Sequence, residues 1–323
     1  MLLIVRVTSR CNFKCDFCSA SAMQGQSLTV DAILRVVKQY HPDTITFEGG
    51  DPLVMPPSFY EELFPKLRAL NPTIELSMTT NLWNWYKNPE KWGVLKDYDI
   101  QVCTSFQYGG KRKITDSRPL TEEIFTDMVT KWKEQTKKSL SFIAVIDKDN
   151  ADSVLKTVKF AKKHKMFCKL NPCFVSGRAE ESYPWDLMLQ HYATIVESGL
   201  AYWEDNSYQL GQLMLKNTNI LSCPLVPNCE GSFLVLNPDG SLHNCSTDVA
   251  ANDSRESVIR LYKKDVPVIS NDCLSCPWYA YCNTCRVYRQ EIVRYKTPEY
   301  CARVSDALSR IRRWALDHED YFE

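Results

Sequence analysis

The sequence predicts an α/β protein built on six parallel strands, followed by a small cysteine-rich module with a β-hairpin and a C-terminal helix. Three observations carry this reading. Short β-type runs alternate with helical patterns from Met1 to about Asn171. Three cysteines, Cys11, Cys15 and Cys18, stand directly behind the first of those runs. Eight of the 14 cysteines lie after residue 220.

The expected strands are Leu2–Val7, Thr44–Phe47, Thr73–Met78, Asp99–Ser105, Leu140–Ile146 and Met166–Asn171. Between them, Val30, Ile33, Val36, Val37 and Tyr40 recur at helical spacing, as do Ile124, Met128 and Trp132, then Val154, Leu155, Val158 and Ala161. Phe59, Leu63 and Leu67 mark a further helix, which Ser58-x-x-Glu61 is expected to open as a capping box. Strand–helix alternation of this kind means parallel pairing with right-handed crossovers. From Tyr183 to Ser222 the pattern is helical, with Trp185, Leu189 and Tyr192 on one face. The division expected is therefore residues 1–182, a helical bridge over 183–222, and a cysteine-rich domain over 223–323. In that last part Asn237-Pro-Asp-Gly240 joins Phe233–Leu236 to Ser241–His243, a strong hairpin signal. A closing helix carries Val304, Leu308, Ile311 and Leu316.

Composition narrows the function. Lys plus Arg and Asp plus Glu number 39 each, so no global field favours nucleic acid or an anionic membrane. The apolar run at the N-terminus is too short for a signal peptide or a membrane span, and the expected location is the cytoplasm. Many cysteines in a reducing compartment argue for metal or catalysis rather than disulfides. Cys11-x-x-x-Cys15-x-x-Cys18 places three thiols to close around one face of a cluster. A [4Fe–4S] cluster takes four thiolates, so an iron here is left open for a substrate or cofactor. The alternative for such thiols is structural zinc, which usually draws four ligands from two knuckles. The later thiols, Cys223, Cys229, Cys245, Cys273, Cys276, Cys282, Cys285 and Cys301, suffice for two further [4Fe–4S] clusters with none left over. Two zinc sites are their alternative.

These motifs resemble the radical S-adenosylmethionine (SAM) family, with Phe17 as the aromatic before the last cysteine of the loop. That family uses an open six-stranded (β/α)6 partial TIM barrel, in agreement with the strand count. Glu48-Gly49-Gly50-Asp51-Pro52 after strand two resembles the family's Gly-Gly-Glu-Pro motif, which holds the SAM amino group, with Asp51 in place of Glu. Thr79-Thr80-Asn81 after strand three and Ser105 ending strand four fall where relatives contact SAM, and Arg118 matches a recurrent arginine. The resemblance thus implies SAM contacts at Phe17, Gly49, Gly50, Asp51, Thr80, Asn81, Ser105 and Arg118. Asp149-Asn150 and Gly177-Arg178-Ala179 match the same subgroup.

The second cysteine field resembles the SPASM domain, the auxiliary-cluster module of radical SAM peptide maturases. By that resemblance Cys223, Cys229, Cys245 and Cys285 hold one auxiliary cluster, and Cys273, Cys276, Cys282 and Cys301 the other. The final gap departs from the pattern, with two residues before Cys285 where three are usual. The implied cofactors are three [4Fe–4S] clusters and SAM, with a flavodoxin- or ferredoxin-type electron donor. The implied reaction is hydrogen abstraction by a 5′-deoxyadenosyl radical, on a ribosomal peptide or protein, or on a small molecule such as a sugar, amino acid or nucleoside. A non-enzymatic iron–sulfur electron carrier is a third reading, opposed by the open site at Cys11 and by Gly49-Gly50. Only ten residues precede Cys11, so no leader-peptide recognition domain is expected. Ser246 follows Cys245 where sulfatase maturases place an Asp base, which argues against that activity. Trp83-Asn84-Trp85 is expected either to line a substrate groove or to pack in the core.

Strand parity sorts the remaining thiols. Cys173 shares parity with Lys169 and Asn171 and is expected at the active-site end, where it would donate a hydrogen atom to the substrate radical. Cys103 shares parity with Ser105 and is a second candidate. Cys168, of opposite parity, is expected to pack as a small hydrophobe.

Overall fold

The computed structural model describes residues 1–23, 26–114, 117–216, 223–226, 231–244, 271–282 and 296–323. They fall into two compact units, one drawn from residues 1–141, 175–180 and 229–264, the other from 142–174, 181–228 and 265–323.

The first unit alternates strand and helix: β1 (Leu2–Thr8), α1 (Val30–Tyr40), β2 (Thr44–Gly49), α2 (Pro57–Leu70), β3 (Glu75–Thr79), α3 (Trp83–Lys87), α4 (Gly93–Asp97), β4 (Gln101–Ser105) and α5 (Glu122–Thr136). The strands pair in parallel in that order, with Leu3 opposite Ile45, Ile45 opposite Leu76 and Met78 opposite Val102. The side-chain period of two separates their faces. Leu3, Val5, Val7, Ile45, Phe47, Leu76 and Met78 are buried, and Phe47 packs on Tyr60 and Phe64 of α2. Burying each such side chain is worth roughly 1.5–3 kcal/mol. The opposite face carries Thr46, Glu48, Ser77, Thr79, Cys103 and Ser105, all half-buried and mostly polar. This polar, partly open face contrasts with the apolar one that packs on α2.

Local chemistry explains the helix ends. Thr29 caps α1 by accepting a 3.2 Å bond from Ala32 N, and Thr121 caps α5 through Ile124 N. The capping box expected at Ser58 does not form. Helix α2 starts at Pro57 behind Pro56, with no side-chain cap. Proline at the first helical position has its φ preset and lacks the N–H that a cap would satisfy, so Ser58 already lies inside the first turn. The buried face is accordingly Tyr60, Leu63, Phe64 and Leu67, with Phe59 only half-buried.

The expected hairpin is present. Strand β7 (Phe233–Leu236) pairs antiparallel with β8 (Leu242–His243), Val235 facing His243. Its placement adds something the sequence did not announce: β7 also pairs in parallel with β1, from Leu2 opposite Phe233 to Val5 opposite Leu236. Arg6, 5% exposed, ties the three strands together. Its Nε donates to Glu48 Oε1 at 3.1 Å and its Nη1 to Asn237 Oδ1 at 3.2 Å.

The second unit contains β5 (Ser141–Ile146), α6 (Val154–His164), β6 (Phe167–Pro172), α7 (Trp185–Glu197), α8 (Asp205–Met214) and the C-terminal α9 (Pro298–Asp317). Its strands β5 and β6 are neighbours, and β6 ends the strand order. An end strand exposes bare main-chain groups, and here side chains meet them. Glu204 accepts from Leu170 N at 2.9 Å, while Leu170 O accepts from Tyr192 OH at 2.6 Å and Asn206 Nδ2 at 2.7 Å. Burial pushes the Glu204 carboxyl up to about 7, against the hydrogen bonds it accepts from Ser207 and Leu170. Trp185, Leu189 and Tyr192 of α7 are buried as expected. Arg310 joins α9 to Glu197 of α7, and Arg303 joins it to the buried Asp186. Leu316, expected on the apolar face of α9, is 50% exposed, because the 3.6-residue period puts Ala315 behind Ile311. Among the described residues no helix is long and apolar enough to cross a membrane.

Candidate active site

The three N-terminal cysteines leave β1 at its C-terminal end, and the loop after β2 is bound against them. Gly50 N donates to Thr8 O at 2.8 Å and Asp51 N to Arg10 O at 2.9 Å. A Cβ on Gly49 would collide with the Thr8 carbonyl, and one on Gly50 with the Arg10 carbonyl. Only glycine permits this approach. Residues 111–113 hold the other side of the loop, with Lys14 N bonded to Lys113 O and Asp16 N to Lys111 O.

Each thiol has protein around it. Cys11 Sγ accepts from Phe13 N at 3.3 Å and lies 3.8 Å from Asn81 Nδ2. Asn81 also donates to Asn12 Oδ1 at 2.6 Å, and Asn12 to Asn84 Oδ1 at 2.9 Å. Arg112 Nη1 approaches Cys15 Sγ at 4.0 Å, and its guanidinium lies 5.1 Å over the Phe17 ring. The Cys18 carbonyl accepts from Ser21 Oγ at 2.7 Å and from Arg178 N at 3.2 Å. Gly177, with φ at +59°, sits where a Cβ would strike that same carbonyl. Desolvation first, then the charge of Asp51, pushes the Cys11 thiol up to about 12, and burial raises Cys15 while Arg112 opposes it. Thiols so raised bind metal by giving up protons.

Asp51 is bonded within the protein. It is 1% exposed, and its carboxylate accepts from Leu53 N at 2.9 Å, Thr80 Oγ1 at 3.0 Å and Asn81 N at 2.7 Å. Burial raises it to about 6 against those bonds. The Asp51 side chain therefore latches the β2 loop to the β3 loop. Thr80 N bonds Cys103 O at 3.0 Å. Cys103 and Ser105 share the half-buried face of β4 with Thr79 of β3. Arg118 is exposed, its carbonyl accepting from Ile114 N at 2.9 Å; Asp116 lies outside the described residues. Trp85 is core, packed on Trp132 at 4.8 Å, whereas Trp83 is half-buried and meets Phe13 of the cysteine loop edge-on at 6.1 Å.

In the second unit Asn150 caps its turn through Asp147 N and Val145 O. Cys168 is buried and its thiol meets Trp203 O at 3.2 Å. Lys169, of the opposite parity, is drawn to Asp205. Cys173 lies one residue beyond β6 and is 4% exposed, its N–H on Ile146 O at 2.7 Å and its carbonyl on Tyr183 N at 2.8 Å.

Four thiols gather near the start of α9. Burial first, then the charges of Cys301, Cys273 and Cys276, pushes Cys282 up to about 12. Lys296 Nζ donates to Cys273 Sγ at 3.1 Å. Cys223 is exposed, while Cys229, Cys245, Ser246 and Cys285 lie outside the described residues. Among the described residues no three Cys, His, Asp or Glu groups converge as a finished metal site.

Residues 5–161 match the family model for the radical SAM superfamily. Residues 5–161 thus carry a radical SAM domain. A cysteine-type anaerobic sulfatase-maturating enzyme of Clostridium novyi (strain NT) is 23% identical, over 88% of this chain and 87% of that one. A probable GTP 3′,8-cyclase of Methanocella arvoryzae is 37% identical, but the match spans 24% of this chain and 26% of that relative. Among solved structures, anSMEcpe with bound AdoMet has a TM-score of 0.68 at 18% identity, covering 98% of this chain and 97% of its own. SuiB of Streptococcus suis has a TM-score of 0.58 at 16% identity, covering 93% and 75%. Both structures share the α/β fold with its parallel sheet. As a radical SAM enzyme, this chain uses an iron–sulfur cluster and SAM. The donor chemistry fits: three thiols on one loop leave one cluster position open, and bare glycine backbone lies beside them.

Sequence reading overlooked Arg112, Asn12 and Asn84. Lys111-Arg112-Lys113 reads as a solvated basic turn, and nothing local marks its central residue as buried at 7% exposure.

Proposed function

We propose that this radical SAM enzyme modifies a peptide or protein, by a crosslink, epimerisation or oxidation. The observation that carries the catalytic part is the Cys11 loop, three thiols braced by Asn81, Arg112 and Gly50 at the end of β1. The substrate class is supported by the likeness to a sulfatase-maturating enzyme along nearly the whole chain. Ser246, in place of the Asp expected of a sulfatase maturase, argues for a different target. A small-molecule substrate is the second reading, favoured by the 84-residue likeness to a probable nucleotide cyclase.

In this proposal Cys11, Cys15 and Cys18 hold the catalytic [4Fe–4S] cluster. Cys223, Cys229, Cys245 and Cys285 hold one auxiliary cluster, and Cys273, Cys276, Cys282 and Cys301 another, in a SPASM-type domain over 223–323. When bound, cluster and SAM together supply a 5′-deoxyadenosyl radical. The rest is done by the chain. Gly49 and Gly50 offer main-chain groups to SAM, and Asp51 fixes Thr80 and Asn81 beside the thiols. Phe17, Ser105 and Arg118 complete the cofactor contacts. The half-polar face of β2 to β4 receives the substrate, and a flavodoxin- or ferredoxin-type protein in the cytoplasm supplies electrons.

The test is anaerobic reconstitution with dithionite and SAM. The protein should hold about twelve irons and release 5′-deoxyadenosine. Changing Cys11, Cys15 and Cys18 together to Ala should remove about four irons and all release; continued release by that variant refutes the assignment. The hydrogen donor is proposed to be Cys173, with Cys103 second. Cys173→Ala should still release 5′-deoxyadenosine and lose the normal product, whereas an unchanged product assigns Cys173 to packing.

A further inference from the structure

Arg112 is a buried cation with no carboxylate partner among the described residues. Its Nη2 donates to Gln107 Oε1 at 3.0 Å, its Nη1 points at Cys15 Sγ at 4.0 Å, and its Nε has no hydrogen-bond partner among the described residues. The guanidinium carbon lies over the Phe17 ring, 5.1 Å from its centroid. The neighbouring Lys113 behaves differently, pairing at the surface with Asp16 at 2.7 Å. A lone charge away from water is strongly disfavoured unless another charge answers it. Among the described residues, the groups beside Arg112 that can take up negative charge are the thiols of the cysteine loop, Cys15 first. The second guanidinium nearby, Arg178, reaches only the Cys15 carbonyl, at 3.4 Å, and is exposed.

We propose that Arg112 is the built-in counter-charge of the Cys11–Cys15–Cys18 site, and that it sets the reduction potential of the cluster those thiolates hold. This rests on the reading that the three cysteines bind a [4Fe–4S] cluster. One-electron reduction adds one negative charge to the cluster, the electron coming from dithionite in the test below. A fixed positive charge in a poorly screened setting favours the more negative, reduced state. Gln107 and Phe17 hold the guanidinium in place, so that the field acts on Cys15 without a bond to metal. Arg112 is a positioning residue rather than a ligand, and partners of this kind tune metal sites.

The experiment is a redox titration of reconstituted holoenzyme, following by electron paramagnetic resonance the reduced-cluster signal that SAM perturbs. In Arg112→Gln the midpoint should become more negative by about 59 mV or more, the one-electron equivalent of a tenfold change in the oxidised-to-reduced ratio. Arg112→Lys keeps the charge and should stay nearer the wild type. If Arg112→Gln holds four fewer irons, Arg112→Lys decides: iron restored at a near-wild-type midpoint supports the counter-charge, and iron lost again overturns it. An unchanged midpoint in both variants, with full iron, also overturns it. A wild-type enzyme without any SAM-responsive signal would instead refute the cluster assignment beneath the proposal.

Discussion

The Cys11 loop and the thiols at Cys273, Cys276, Cys282 and Cys301 are held in opposite ways. Around the first, protein supplies the order. Main-chain bonds from Gly50, Asp51, Lys14 and Asp16 fix the loop, and Asn81, Arg112 and Arg178 reach its sulfurs or carbonyls. Around the second, two helical turns of four residues, Asn271–Leu274 and Tyr279–Cys282, and the first turns of α9 bring the thiols together, with Lys296 on Cys273. Helices so short are not stable by themselves. Under the proposed ligand sets, the difference teaches that a site with an open coordination position is shaped by the fold. A fully ligated one can instead be shaped by its metal, whose binding energy is then folding energy.

Melting separates the two sites. Cys282→Ala should lose about four irons and, at roughly 2–4 °C per kcal/mol for a unit of this size, lower the melting temperature by about 10 °C or more. The Cys11, Cys15 and Cys18 triple Ala variant should lose as much iron and melt within about 3 °C of the wild type, because its scaffold is protein. Equal losses in the two variants, followed by calorimetry under argon, would erase the distinction.

The second unit carries a smaller, pH-dependent effect. Glu204, raised to about 7, keeps a proton in the folded state that the unfolded chain releases above about 4.5. Folded pKa above unfolded means stability is greatest below pH 4.5 and falls as the pH rises through 7. Asp51, raised to about 6, adds a contribution of the same sign. The urea midpoint should therefore drop between pH 5 and pH 8, and Glu204→Gln should flatten part of that drop. A variant with the full wild-type slope would remove Glu204 as its source.

Much of this was legible in the chain because it is local. Periods of two and 3.6 placed the six strands and the principal helices within a few residues, and Asn237-Pro-Asp-Gly240 marked the hairpin. Four things were not. The pairing of β7 with β1 joins residues more than two hundred positions apart, and no local pattern encodes it. The start of α2 moved because two prolines decide the backbone before Ser58 is reached. The bonds of Asp51 to Thr80 and Asn81 run between two strand-end loops, and its Gly-Gly-Asp motif does not announce them. Arg112 was hidden for the converse reason: a basic run looks solvated until the fold closes over one member.

In the proposed assignment Cys11, Cys15 and Cys18 hold a cluster with one iron open to SAM. Its most direct measurement is electron paramagnetic resonance of the dithionite-reduced protein, with and without SAM. The wild type should show one reduced-cluster signal that SAM alters, and the triple Ala variant should keep its other signals while losing that response. A SAM response that survives in the triple variant would contradict the account.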